Sequence, residues 1–435
     1  MAVRKPHWAA LCGLIVLSGG ILGLLSGRES LKEGRCQLVR RQVDLSHLNR
    51  LDSALLRLAC QSLEPESSRP DDIKDLPNGF QQPRFYHMDT KGGRLPLVLD
   101  AAHDRRLCVD LNRDGLLAGE QCFQAQSLKS DRWGRYPLRF GPIFMGDGPS
   151  SGRGVAAFDA IYYAADGPAP LSVYPTYYLS GRLQIDGRVC DVALVDGDYD
   201  GRFGSLVSLS AGLGAVGDVF PEDTWRAPRC HLFAIDWNGD GKYQFSPTDR
   251  SEVMPLSKMV LLGDRYYAIE VTPEGSELSL TPTEPVFGRL AIDPANATLF
   301  LRLWSDAADQ CISRSTGPWD LPVGTYQTLY AVVILQDSKG DTWTFSTLRD
   351  TGRLGLFEVR PHETTQVRLG PPFVVKIDVR RVDAETISIC PIVVGCGGEQ
   401  YQADFQRNWR RAPERTFKIV DEKGNVLVTD KFQFG

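Results

Sequence analysis

The stretch Val195-Asp196-Gly197-Asp198-Tyr199-Asp200-Gly201 places three aspartates at alternate positions and ends on glycine. Two more copies follow the same pattern, Val109 to Gly115 (VDLNRDG) and Ile235 to Gly241 (IDWNGDG). In each copy the apolar residues before the first Asp alternate with a period of two, as in a β-strand that runs into a loop. The repeat therefore predicts a duplicated unit of strand and acidic loop within a β-rich domain.

The spacing of the acidic side chains predicts a calcium site in each loop. Ca²⁺ takes about six to eight oxygen ligands, and side chains at loop positions 1, 3 and 5 face inward on a tight turn. Glycine at position 6 permits the turn that lets the carbonyl of position 7 coordinate as well. The predicted ligands are Asp110, Asn112 and Asp114 in loop 1, Asp196, Asp198 and Asp200 in loop 2, and Asp236, Asn238 and Asp240 in loop 3.

All three loops lack the bidentate glutamate that an EF-hand carries at position 12, where this chain has Gln121, Val207 and Pro247. We expect a carboxylate from elsewhere in the chain to complete each site. The candidates are Glu120 for loop 1, Asp218, Glu222 or Asp223 for loop 2, and Asp249 or Glu252 for loop 3. The alternative is a metal-free turn, because Asp, Asn and Gly form tight turns without any ion.

The composition favours a mainly β protein with two or three domains. The 435 residues include 49 Lys and Arg and 54 Asp and Glu, which gives a formal net charge of −5. This charge argues against a nucleic-acid partner, because phosphate binding needs a basic face. The 42 Gly and 27 Pro favour many turns and short strands over long helices.

The N-terminus predicts export, so that the protein is secreted, periplasmic or at the cell surface. Arg4 and Lys5 precede residues 9–25, which carry no charge, and small residues follow at Ser26 and Gly27. Residues 1–27 are therefore predicted to be a signal peptide or, if they are not cleaved, a membrane anchor through residues 9–25. A buried N-terminal helix is the alternative.

Nine of the 10 cysteines follow this segment. In an oxidising compartment this number favours several disulfides with one thiol left over. Cys190 and Cys230 each lie six residues before the first Asp of their loop, which predicts a disulfide between them. The alternative is buried free thiols, because spacing alone does not define a pairing.

The pattern along the chain predicts four further segments. Regularly spaced leucines predict a helical segment over 28–63, and a Pro-rich acidic run predicts a linker over 64–84. Short runs bounded by Gly, Asp and Pro predict a β-rich domain with the three loops over 85–284. Residues 285–435 alternate apolar and polar residues, which predicts an antiparallel β-sandwich.

From residue 85 to 271 the chain resembles exported bacterial proteins with EF-hand-like or dockerin-like calcium loops. The resemblance rests on strands that run into stretches such as Asp200-Gly-Arg-Phe203 and Asp240-Gly-Lys-Tyr243. The C-terminal stretch, with Leu321-Pro-Val-Gly-Thr-Tyr326, is similar to carboxypeptidase-regulatory β-sandwich modules. The resemblance implies a fold and a metal, but no reaction.

Patterns for catalysis are weak in this sequence. The GxSxG match at 148–152 and the GxGxxG match at 212–217 both lie in Gly-rich stretches, without the helix that either motif needs. The predicted function is a non-catalytic, exported calcium-binding protein with structural metal, whose sandwich binds an extracellular protein or glycan. The alternative is a calcium-stabilised extracellular hydrolase that acts on glycans.

Overall fold

The computed structural model shows a mainly β protein. It describes residues 32–43, 54–90, 92–102, 105–129, 137–145, 156–163, 169–206, 209, 230–246, 251–293, 297–315, 317–347, 356–381, 387–402, 405–412 and 416–431. Within them, the helical elements are α1 (Ala54–Ala59) and a short 3₁₀ turn, Leu117–Gly119. No helix in this part of the chain is long and apolar enough to cross a membrane. The predicted signal peptide, 1–27, and the predicted anchor, 9–25, lie outside the described residues.

The strands up to residue 283 are β1 (Arg35–Gln37), β2 (Val39–Gln42), β3 (Gln61–Leu63), β4 (Pro83–Thr90), β5 (Gly93–Asp100), β6 (Arg106–Val109), β7 (Cys122–Gln124), β8 (Gln126–Ser127), β9 (Pro137–Met145), β10 (Ala156–Tyr163), β11 (Leu171–Pro175), β12 (Tyr177–Ile185), β13 (Arg188–Val195), β14 (Leu232–Ile235), β15 (Val253–Pro255), β16 (Met259–Leu262), β17 (Arg265–Val271) and β18 (Glu277–Thr283). The later strands are β19 (Phe287–Asp293), β20 (Thr298–Ser305), β21 (Gln310–Ser315), β22 (Trp319–Pro322), β23 (Gly324–Gln336), β24 (Thr342–Ser346), β25 (Phe357–Val359), β26 (Thr364–Arg368), β27 (Val374–Arg381), β28 (Ile387–Val394), β29 (Gln400–Tyr401), β30 (Gln406–Arg407), β31 (Arg410–Arg411), β32 (Thr416–Val420) and β33 (Val426–Lys431).

The first core is formed by two sheets, with strand orders β4-β5-β6-β7 and β3-β11-β10-β9-β8. Leu97 and Leu107 of the first sheet lie in one buried cluster with Phe140 and Phe158 of the second. Burial of these large side chains on the facing sides of two sheets supplies most of the driving force for their packing. Strand β6 leads directly into Asp110, so loop 1 begins at the end of the first sheet.

The second core lies between sheets with orders β15-β14-β13-β12-β2 and β1-β18-β17-β16. Strands β13 and β14 are antiparallel neighbours, with Val192 opposite Ile235 and Val195 opposite Leu232. Loop 2 follows β13 and loop 3 follows β14. Because the strands are antiparallel, the two loops lie at opposite ends of this pair.

The third core is formed by residues after 285. A three-stranded sheet, β22-β19-β26, shares this core with a larger sheet in the order β21-β20-β23-β24-β30-β31, to which β25 is added by pairing with β23. The sandwich was expected to be antiparallel, but β19 and β26 pair in parallel. After β22, which pairs with one edge of β19, the chain passes through β23, β24 and β25 in the larger sheet and then returns as β26 at the other edge of β19.

The C-terminal hairpins leave apolar side chains exposed. Strands β27 and β28 pair along eight residues, and β32 pairs with β33. Val375, Ile377 and Val379 on β27 are all more than half exposed. Because successive side chains of a strand point to opposite faces, these three residues at alternate positions share one face of β27.

The predicted helical segment over 28–63 is wrong for most of the residues that the structure describes. Residues 35–37 and 39–42 are strands, paired with β18 and β12, and only Ala54–Ala59 is helical. These strands lie before the regularly spaced leucines, and pairing with the second-core sheets decides their conformation. The predicted linker is also packed rather than free, because Ile73 is 2% exposed and clusters with Phe85.

A fourth cluster connects the second and third cores. Trp304 and Leu329, from the predicted sandwich, pack in it with Leu55, Val195 and Leu232. The predicted boundary at 284–285 does fall between β18 and β19. The two predicted domains nevertheless share buried surface, so they are packed against each other.

Candidate metal centres

The three acidic loops share one hydrogen-bonding pattern. In each loop the carboxylate at position 1 accepts the backbone N–H of the glycine at position 6, and the carboxylate at position 5 accepts the N–H of position 7. The N···O distances to position 1 are 2.9 Å at Asp110 and 2.8 Å at both Asp196 and Asp236. These bonds wrap the backbone around the carboxylates that the sequence predicts as metal ligands.

Two positions of each loop have positive φ. Position 6 is glycine in every copy, with φ of 82°, 73° and 78° in loops 1, 2 and 3. Position 4 also has positive φ, although it is Arg113 in loop 1 and Tyr199 in loop 2. Residues other than glycine adopt this conformation at a cost, so the surrounding hydrogen bonds must hold it. The repeat in the sequence is therefore a repeat in backbone conformation.

Loop 3 gains a further carboxylate from outside the loop. Ligand atoms of Asp236, Asp240 and Glu252 all lie within 4.8 Å of one another. Glu252 is only 8% exposed, and it directly precedes β15. Of the two candidates for this loop, the structure therefore places Glu252 at the site. Asp249 lies outside the described residues.

The Asn238 side chain has a role within loop 3. Its Oδ1 accepts the N–H of Asp240 at 2.8 Å. Asn112 makes the equivalent bond in loop 1, where its Oδ1 accepts the N–H of Asp114 at 3.0 Å. The asparagine at position 3 therefore stabilises the turn, and its amide oxygen lies inside the loop.

Loop 1 is more open than the other two. Asp110, Asp114 and Glu120 do not form a compact ligand cluster of the kind found at the other loops in the described chain. Asp110 is only 1% exposed, and its Oδ1 accepts no hydrogen bond from any described residue. Burial and the neighbouring Asp110 and Asp114 carboxylates raise the pKa of Glu120. Glu120 therefore lies near the loop 1 carboxylates, and its role as a ligand stays a prediction.

Loop 2 gathers a histidine as well as its aspartates. Ligand atoms of Asp196, Asp198, Asp200 and His231 all lie within 4.8 Å of one another. Asp196 is 4% exposed, Asp198 is 8% exposed and His231 is fully buried. Burial, and then the neighbouring Asp198 carboxylate, raise the pKa of Asp196 well above its usual range. This group of acidic side chains and one imidazole could hold a metal ion.

Sequence reasoning missed His231 and proposed other partners for loop 2. The candidates Asp218, Glu222 and Asp223 lie outside the described residues, as do both the GxSxG and GxGxxG matches. His231 reaches loop 2 because Leu232 pairs with Val195, the residue before Asp196. That pairing follows from the sheet and has no local signal in the sequence.

The predicted disulfide between Cys190 and Cys230 is wrong. Both are buried free thiols, and Cys190 lies opposite Leu183 on β12. Cys190 and Cys230 each lie six residues before their loop, but β13 and β14 are antiparallel. The two cysteines therefore lie at opposite ends of the strand pair, too far apart to form a disulfide. A disulfide instead joins Cys108 to Cys122, and the chain between them contains all of loop 1 and Glu120.

Two cavities in the described part of the chain bear on a possible catalytic role. One, of about 660 Å³, is lined by Gln81, Gln82, Arg105, Gln124 and neighbouring small residues. Another, of about 280 Å³, is lined by residues that include Arg289 and Trp319. Neither has a carboxylate among its described lining residues, so neither offers the acid pair of a glycosidase.

No protein-family model, curated protein or solved structure shows significant similarity to this chain.

Proposed function

We propose that this chain is an exported, non-catalytic calcium-binding protein in which the metal stabilises the β-rich fold. The observation that carries the proposal is loop 3, where Glu252 joins the loop carboxylates of Asp236 and Asp240. Three carboxylates this close repel one another, and a bound dication offsets that repulsion.

The choice of calcium rests on the ligand chemistry. The side chains at loop 3 offer oxygen atoms only, from three carboxylates and the Asn238 amide, and Ca²⁺ prefers oxygen ligands in flexible arrangements. Loop 1 offers the same kinds of atoms through Asp110, Asn112, Asp114 and Glu120. The unpartnered, buried Oδ1 of Asp110 supports a cation at this loop.

A structural role follows from where the loops lie. Glu252 immediately precedes β15, and Asp236 immediately follows β14, which pairs with β15. An ion at loop 3 would therefore tie the ends of two neighbouring strands. At loop 1 it would act inside the segment that the Cys108–Cys122 disulfide already closes.

Export and an extracellular partner are part of the same proposal. The apolar residues 9–25 and the Cys108–Cys122 disulfide both support an oxidising compartment outside the cytoplasm. The exposed apolar face of β27 supports a role for the C-terminal region as a module that binds an extracellular protein or glycan.

Thermal unfolding of the purified protein tests the proposal, first with excess EDTA and then with about 5 mM Ca²⁺. Extracellular calcium modules have a Kd of about 10⁻⁴ to 10⁻³ M, so each occupied site adds about 1 to 2 kcal/mol. A variant with Asp110→Asn and Asp236→Asn should lose most of this gain. If Ca²⁺ leaves the midpoint of the unmodified protein unchanged, the loops are metal-free turns and the proposal fails.

A further inference from the structure

We propose that loop 2, unlike loops 1 and 3, binds a first-row transition-metal dication such as Mn²⁺ or Zn²⁺, with His231 as a ligand. The inference rests on the proposed function only in taking the acidic loops to bind cations. It assigns a different class of metal to one of the three loops, and His231 is a ligand that the DxDxDG pattern does not contain.

The position of the imidazole supports direct coordination. His231 Nδ1 lies 3.7 Å from Asp196 Oδ1 and 3.7 Å from Asp198 Oδ1. This separation is longer than a hydrogen bond. Two ligands that bind one ion at about 2.0 to 2.2 Å lie roughly 3 to 3.7 Å apart, depending on the angle between them. The nitrogen and both oxygens are therefore spaced as ligands around a shared cation.

Gly197 explains why only loop 2 receives a histidine. A Cβ atom at this position would lie 2.1 Å from the Cys230 carbonyl oxygen, so the loop can rest on the start of β14 only without a side chain. Loops 1 and 3 have Leu111 and Trp237 at the same position. The close approach at Gly197 brings His231, which follows Cys230, next to the aspartates of loop 2.

The ring of His231 is held in place by packing. It stacks on Phe203, the residue at position 8 of loop 2, with ring centroids 6.0 Å apart and an interplanar angle of 29°. Phe203 is 2% exposed and belongs to the second core. A ring fixed by the core presents its nitrogen to the aspartates without a further loss of side-chain entropy on binding.

The ligand set determines the class of metal. Ca²⁺ takes oxygen ligands, whereas imidazole nitrogen suits first-row transition metals. Loop 3 has the Glu252 carboxylate as its additional ligand, so the two loops share their aspartates and differ in the added group.

Charge also favours a dication at this site. A dication neutralises more of the charge of these three carboxylates than the imidazole beside them can. The more complete neutralisation is preferred for groups as buried as Asp196 and Asp198.

The ion at loop 2 would connect two cores. The Tyr199 hydroxyl donates toward the carbonyls of Ala59 and Val173, at 3.2 Å and 3.3 Å. Tyr199 itself packs in the first core, although loop 2 follows a strand of the second. Fixing loop 2 around an ion therefore fixes the junction between the first and second cores.

Calorimetric titration of the metal-stripped protein tests the inference with Mn²⁺, Zn²⁺ and Ca²⁺ in separate experiments. We expect His231→Gln to weaken Mn²⁺ and Zn²⁺ binding at one site by at least 10-fold and to leave the Ca²⁺ sites unchanged. The matched variant Glu252→Gln should weaken one Ca²⁺ site and leave Mn²⁺ and Zn²⁺ binding unchanged. Transition-metal binding that is equal in the unmodified protein and in His231→Gln overturns the inference.

Co²⁺ substitution gives a readout that needs no folded His231 variant. Nitrogen ligation in the unmodified protein should appear as imidazole scattering in the X-ray absorption spectrum of the bound Co²⁺, and Asp200→Asn, a substitution at a partly exposed ligand, should weaken Co²⁺ binding at this site. A Co²⁺ spectrum that shows oxygen ligands only also overturns the inference. If Ca²⁺ has no effect but the imidazole scattering of bound Co²⁺ is present, the proposed calcium function fails and the assignment of loop 2 stands.

Discussion

Glu252 accepts the backbone N–H of Asn238 at 3.0 Å, so a residue outside loop 3 is fixed to the middle of that loop. The other oxygen of Glu252 accepts the N–H of Gln244 at 3.2 Å. These two bonds orient the carboxylate toward Asp236 and Asp240 before any ion arrives. The missing position-12 carboxylate of loop 3 is therefore replaced by one from the start of the next strand.

Glu252→Gln should reduce the stabilisation that Ca²⁺ gives to the protein. The amide keeps the size of the side chain but removes the negative charge and one of the two candidate ligand oxygens. We expect the calcium-dependent gain in unfolding free energy to fall by about 1 to 2 kcal/mol, the share of one site. The measurement is urea unfolding with EDTA and with about 5 mM Ca²⁺.

Glu284→Gln is the matched control, because Glu284 is exposed and lies between β18 and β19, away from the loops. It should keep the full calcium-dependent gain. An equal loss in both variants would show that overall charge, rather than coordination at loop 3, causes the effect.

Replacing Cys108 and Cys122 with serine should destabilise the protein and weaken loop 1. The disulfide closes a segment with a sequence separation of 14, and loss of such a closure costs about 3 kcal/mol. Asp110 and Glu120 both lie within the segment, so its opening should also lower Ca²⁺ affinity at loop 1. Calorimetry of unfolding and calcium titration measure the two effects. Cys190→Ser gives the comparison, since Cys190 forms no disulfide and should leave loop 1 unchanged.

Tyr199→Phe should cost about 1 kcal/mol, because the Ala59 and Val173 carbonyls lose a buried donor. Tyr199 contributes no ligand atom to loop 2, so the loss should be the same with EDTA and with saturating metal. Paired unfolding curves in the two conditions measure it. A loss seen only in the presence of metal would mean that the hydroxyl acts through the metal site.

The backbone conformation of the acidic loops follows from local sequence information, whereas their binding of an ion stays a prediction. Alternating carboxylates and a glycine at position 6 define the turn without help from the rest of the chain, and the three loops have the same conformation. The mainly β class followed from the same short strands and turns. The sequence could offer Glu252 as a candidate because it lies close to loop 3 along the chain.

Strand pairing decided what the sequence could not. His231 meets Asp196 only because β13 and β14 are antiparallel, and the same arrangement separates Cys190 from Cys230. Strands β1 and β2 fall in the segment predicted to be helical, because nothing local in the sequence indicates their partners β18 and β12, which lie far away along the chain. Contacts of this kind depend on tertiary structure, which residue spacing does not reveal.

Asp309 should give the protein a pH-dependent component of stability. Burial raises the pKa of Asp309 to about 6, and the Arg302 guanidinium, which donates to this carboxylate, opposes the rise only in part. The folded state therefore binds this proton more tightly than the unfolded state does. The contribution is fully present below about pH 4 and is lost as the pH rises through about 6.

Asp309→Asn should remove this pH-dependent part of the unfolding free energy, which changes by on the order of 3 kcal/mol between about pH 4 and pH 6. Because Asp309 is already neutral in the folded protein below about pH 6, the variant should resemble the unmodified protein most closely near pH 4 and should not lose stability as the pH rises to 7. Urea unfolding between pH 4 and 7 measures the slopes. Parallel pH profiles of the two proteins would contradict the assignment to Asp309.

Trp304→Ala should destabilise the whole protein in a single transition. Trp304 is 2% exposed and packs in the fourth cluster with Val195 and Leu232, so both predicted domains lose contacts. Loss of a buried tryptophan typically costs about 3 to 5 kcal/mol. Scanning calorimetry should show one transition that moves to lower temperature.

Trp409→Ala is the control: this tryptophan is 58% exposed, and its replacement should change stability by only about 0.5 kcal/mol. Two transitions, of which only one moves in Trp304→Ala, would mean that the domains unfold independently despite their shared cluster.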